Sequence, residues 1–238
     1  MTQSSDGDAG SFAADPRGSV GQPRASPPPW ISAALELELH ALMPVTPRRP
    51  VRQALIATAV SLAYAAIVLA VVAVRRELDE LPRTWLVLYL AAWFTGFAVP
   101  LWVSLVPRPG SMMPRWRLGG WLAATTAVGF VVAGFVLARS APSSLHLGLG
   151  SAHACLSQGL ITAVVPVVLG TLLLRGAAPV GSRATAAALG AAGGSLGGLL
   201  LHLHCPIADG LHVGLVHGGV VALAALLAAA LVPPALRP

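Results

Sequence analysis

Two cysteines and a cluster of histidines carry most of the chemistry this chain could perform. His202-Leu-His-Cys-Pro206 is followed within a dozen residues by Asp209, His212 and His217, and His146, His153 and Cys155 lie together further upstream. Imidazole and thiolate are the ligands of zinc and copper. Thiols are also the groups that oxidants convert to disulfides or sulfenic acids. The spacing alone is no metal fingerprint. His202 and His204 are two apart, which on a continuous helix turns them about 200° from one another. His212 and His217 are five apart, a poor interval for one helical face. A site needs the backbone to leave the helix near Cys205-Pro206, and a helix does usually stop at or before the residue preceding proline. Each histidine taken alone also fits an interfacial residue hydrogen-bonded to backbone or lipid headgroup. The pair Cys155 and Cys205 reads instead as a thiol sensor on two different segments, able to close only if those segments pack side by side. His153, His202, His204, His212 and His217 are the candidate ligands for a zinc or copper ion.

The elements that must position these residues are membrane spans. The chain is 238 residues long, 55% hydrophobic and 10% charged, against roughly 25% charged in soluble domains. Apolar runs at about 53–74, 84–106, 118–138, 153–174, 184–203 and 212–232 are each long enough to cross about 30 Å of hydrocarbon. The fold class expected is an all-α membrane protein, a bundle of six transmembrane helices over residues 48–238. Every basic residue is Arg. The formal net charge of +6 reflects arginines at span ends, so no nucleic-acid partner is expected. Placing the N-terminus in the cytoplasm puts Arg48, Arg49, Arg52, Arg108, Arg115, Arg117, Arg175, Arg183 and Arg237 inside, and only Arg75, Arg76, Arg83 and Arg139 outside. The arginine excess predicts both termini in the cytoplasm. It also places both cysteines and six of the seven histidines toward the outer face.

Residues 1–29, rich in Ser, Gly and Pro with Asp6, Asp8 and Asp15, have no apolar core for a signal peptide and read as a disordered tail. Residues 30–47 hold a short amphipathic segment in which Ile31, Leu35, Leu39 and Leu42 recur at helical spacing, with Trp30 at its start. Such a helix is too short to stand alone in water. It needs a membrane interface or a partner's groove. Pro44 and Pro47 end it. In the fifth span, Gly190, Gly194 and Gly198 repeat every four residues beside Gly193 and Gly197, and Gly214 and Gly218 repeat the interval in the sixth. Small residues let helix backbones approach closely in lipid, so spans five and six are expected to form a tight hairpin. A homodimer face is the alternative use of the same glycines.

Enzymatic readings find little support. Asp209 is the only acid after Glu80, so paired carboxylates for general acid–base work are missing, as are a nucleophile elbow and a zinc-peptidase motif. A small metal or solute transporter would carry polar residues down its span interiors, where this chain has Ala, Val, Leu and Gly. A structural subunit of a larger membrane complex is the other rival.

Several short motifs resemble the NrsF family of integral-membrane anti-sigma factors. They are Leu-His-Ala-Leu-Met-Pro-Val-Thr-Pro-Arg-Arg-Pro at 39–50, Cys155 opening span four with Pro166 inside it, Leu-Leu-Arg-Gly-Ala-Ala-Pro at 173–179, and Leu-His-Cys-Pro at 203–206. The likeness covers about residues 35–235. The long tail and the histidines after Cys205 depart from the family pattern. The CarR type of six-span anti-sigma factor is similar. The resemblance implies a regulator of the bacterial cytoplasmic membrane. Its segment around residues 30–43, through Trp30, Ile31, Leu35, Leu39 and Leu42, would hold an extracytoplasmic-function sigma factor. A signal at the outer face would release it.

Overall fold

The computed structural model describes residues 49–76, 83–106, 114–138, 149–175, 181–207 and 210–236. The N-terminal tail, the amphipathic segment with Trp30, Ile31, Leu35, Leu39 and Leu42, and residues His146 and Asp209 lie outside them. All described regular structure is helical: α1 Pro50–Val72, α2 Arg83–Leu105, α3 Arg115–Ala138, α4 Leu149–Leu174, α5 Ser182–His204 and α6 Gly210–Leu231, closed by a 3-10 turn at Pro233–Leu236. Each of the six is long and apolar enough to cross a membrane. The outward faces are apolar too. Ile67, Trp121, Leu226 and Leu231 are all exposed, as suits a surface that meets lipid rather than water.

α5 is the axis of the bundle. In its most apolar stretch 83% of residues are buried, against 11% for α1. Its small residues explain why, since they let neighbours approach on several sides at once. A methyl group added at Gly194 would lie 2.6 Å from the Cα of Val221 in α6, and one at Gly190 would strike the backbone of Ala224 and Ala225. Methyls at Gly193 and Gly197 would meet the backbone carbonyls of Ala163 and Gly159 in α4. The third residue of the four-residue glycine row departs from the hairpin expectation: Gly198 lies against the indole of Trp93 in α2. Gly214 and Gly218 depart from it as well. They face Gly134, Val131 and Phe130 of α3. The glycines therefore seat α5 among α2, α4 and α6, and seat α6 on α3, all within one chain.

Aromatic packing completes the core. Trp93 stacks on Phe130 with ring centroids 3.6 Å apart. Phe97, Leu101, Leu189, Leu196 and Leu236 form a buried cluster with Ala54 and Ala57 of α1. α1 is otherwise pinned by few polar contacts: the Trp102 indole N–H donates to Thr58 Oγ1 at 3.1 Å, and Tyr64 OH reaches the Ile161 carbonyl at 3.5 Å.

Candidate functional site

The site forms at one end of the bundle, where α4, α5 and α6 meet. α5 stops at His204, and Cys205 takes an extended conformation with φ −70° and ψ 124°. Pro206 dictates this, because its ring disfavours helical geometry in the residue before it. The Cys205 N–H still bonds back to the Leu201 carbonyl at 2.7 Å, so the side chain turns inward and is buried. Cys155 comes from the second turn of α4, held close by the backbone contact between Gly159 and Gly197. The two thiols are free and their Sγ atoms are 3.6 Å apart.

His212 and His217 come from the start of α6. There the helix widens into a π-turn over Val213–His217. On an α-helix, residues five apart diverge by about 140°. A π-turn closes its hydrogen bonds five residues apart, so such residues come nearly above one another. The two imidazoles accordingly meet edge to face with centroids 5.4 Å apart. Both are buried. Cys205 Sγ lies 3.6 Å from His212 Nε2, which completes a thiol–thiol–imidazole chain. The ligand atoms of Cys155, Cys205, His212 and His217 all lie within 4.8 Å of one another. This cluster has the donor set to bind a metal ion, and its thiols are close enough to share a proton or, on oxidation, a bond.

The other candidate residues stand outside the cluster. His153 is exposed on α4. His202 stacks on Tyr89 of α2 with centroids 4.8 Å apart. The His204 Nδ1–H donates to the Ala73 carbonyl at 2.8 Å. That contact belongs to a latch which sequence reading missed. Just past the end of α1, the Arg75 N–H donates to the Leu203 carbonyl at 3.0 Å, and its guanidinium reaches the Cys205 carbonyl at 3.4 Å. Ala73 has a positive φ of 67° with ψ 154°, a conformation that residues with a Cβ seldom adopt. Arg75 was legible only as part of a charged turn, and nothing in its spacing pairs it with Cys205.

Residues 40–237 match the family described as NrsF, negative regulator of sigma F. The chain belongs to the NrsF family. Its description makes this a family of negative regulators of a sigma factor, which implies a sigma factor as partner. The match spans all six helices and both cysteines. No curated protein and no solved structure matches the chain.

Proposed function

We propose that the protein is a membrane-bound anti-sigma factor of the bacterial cytoplasmic membrane. It holds an extracytoplasmic-function sigma factor through its N-terminal segment and releases it when an oxidant or a metal ion acts on the Cys155/Cys205 cluster. The family match over residues 40–237 carries this reading. The arginine distribution supports cytoplasmic termini and an outward-facing cluster. The amphipathic row Ile31, Leu35, Leu39 and Leu42, preceded by Trp30, supplies an apolar face that a sigma factor's groove could take up. The thiol pair at 3.6 Å supplies groups that respond to the signal. Oxidation would remove two hydrogens from the two thiols, joining the sulfurs and passing two electrons to the oxidant.

The test is co-purification of the full-length protein in detergent with extracytoplasmic-function sigma factors of its host. The wild type retains one of them, and Leu35→Asp loses it. Absence of any bound sigma factor, or undiminished binding by the Leu35→Asp and Leu39→Asp double variant, would overturn the assignment.

A further inference from the structure

We infer that Cys155, Cys205, His212 and His217 together form one tetrahedral site for a closed-shell d10 metal ion of the zinc(II) class, with His217 as its fourth ligand. The inference deepens the proposed sensing role of the thiol pair and rests on that reading for its biological use. It does not depend on it for the binding itself.

Geometry favours the site. Zinc bonds of about 2.3 Å to sulfur and 2.0–2.1 Å to nitrogen give tetrahedral edges of about 3.4–3.8 Å. The S–S and S–N edges here are both 3.6 Å. The remaining ligand atoms lie within 4.8 Å, so His217 needs only a small inward movement. His217 is the second, independent sign. It is 1% exposed, and neither of its ring nitrogens has a hydrogen-bond partner among the described residues. Buried polar groups are seldom left so, and an ion beside the two thiols would engage one of them. The π-turn has the same direction. It gives up helical regularity to bring two histidines five apart onto the cysteines, and such turns recur at functional positions.

Charge decides the class of ion. Two thiolates and two neutral imidazoles bring a charge of −2, and a divalent ion makes the buried site neutral, whereas isolated charge is costly to bury. Binding releases the two thiol protons as the two metal–sulfur bonds form. The bound thiolates are then held as ligands, so metal occupancy and a Cys155–Cys205 disulfide exclude each other.

The experiment uses reduced full-length protein in detergent, titrated with Zn2+, with Co2+ as the spectroscopic probe. One equivalent of Zn2+ is expected. Co2+ should give the visible bands of a tetrahedral ion and a sulfur-to-cobalt charge-transfer band, and bound metal should protect both cysteines from alkylation. His217→Ala and His212→Asn should lose the tetrahedral bands and weaken binding by tenfold or more, while His153→Ala and His204→Ala keep one equivalent. Because His217 is buried, the alkylation protection in the wild type tests the site without any variant. No protection and no charge-transfer band would overturn the inference. So would full binding by His217→Ala. Sigma-factor retention is measured on the same preparation: retention without metal binding sinks the metal site alone, and metal binding without retention sinks the anti-sigma reading alone.

Discussion

Gly197 lies two turns from Cys205, and its partner Gly159 lies one turn from Cys155, so a single methyl group here tests whether the α4–α5 contact sets the thiol geometry. In Gly197→Ala the new Cβ would fall 3.0 Å from the carbonyl carbon of Gly159 and 3.1 Å from its Cα, with the carbonyl oxygen nearer still. Comfortable carbon contacts begin at about 3.5–4 Å, so the helices must part by about 0.5–1 Å. Such overpacking costs about 1–3 kcal/mol. Alanine also gains about 1 kcal/mol over glycine in any helix, and that gain must be removed from the comparison. Gly219→Ala does this, since no atom lies within 4 Å of the position its new methyl group would take. The difference between the two variants isolates the steric term. A 0.5–1 Å separation widens the sulfur gap from 3.6 Å to about 4–4.5 Å, when a disulfide requires about 2.05 Å. The assay is diamide oxidation followed by thiol trapping, with thermal denaturation in detergent alongside. Gly197→Ala should melt several degrees below Gly219→Ala, on the scale of about 2–4 °C per kcal/mol for a chain of this size, and should form the Cys155–Cys205 bridge more slowly. Equal melting temperatures and equal bridging rates in the two variants would refute the claim that backbone contact between α4 and α5 sets the thiol separation.

Three further perturbations probe the same end of the bundle. Ala73→Gly relieves a positive φ that costs a residue with a Cβ about 1–3 kcal/mol, so its melting temperature should rise. Arg75→Gln removes the guanidinium contact to the Cys205 carbonyl and should leave sigma-factor retention intact while blunting release by the signal, read from a sigma-dependent reporter. Serine at both Cys155 and Cys205 should abolish signal-induced release; normal induction in that double variant would take the thiols out of the mechanism.

The parts of this molecule written in local sequence were legible. Apolar length gave six spans, and Pro206 gave the end of α5 at His204, because both follow from rules that act within a few residues. The meeting of Cys155 with Cys205 was legible only as a condition, that spans four and five pack side by side. A second glycine row, Gly193 and Gly197, was the available sign that the condition holds. It lies beside the Gly190 and Gly194 row and so implies a second close neighbour for α5. The pairing of His212 with His217 was not legible. Five-residue spacing argues against one face on an α-helix, and periodicity carries no mark of a π-turn. Spacing alone assigns Gly198, Gly214 and Gly218 to the hairpin, because it says where a helix is thin but not which neighbour fills the space. Trp93 and α3 fill it.

The proposed release mechanism requires the four side chains of the cluster to act on the segment that precedes α1 in the sequence. Cys205 is both a member of the cluster and, through its carbonyl, a partner of Arg75. A Cys155–Cys205 disulfide would have to close the sulfur gap from 3.6 Å to about 2.05 Å, which would pull on the end of α5, since Cys205 lies just beyond its last helical residue. α5 itself is enclosed on several sides by backbone contacts that leave no room for sliding. α1 is the least buried of the six helices, and the elements with the fewest buried contacts are the ones that rearrange at least cost. In the proposed mechanism a displacement of Cys205 would reach the Arg75 contact, beside the positive φ of Ala73. In the sequence, α1 is preceded by the segment carrying Leu35, Leu39 and Leu42. If the signal travels this way, Arg75→Gln and the double cysteine variant should show the same loss of induction. Combined, they should do no more than either alone, because they interrupt one path in series.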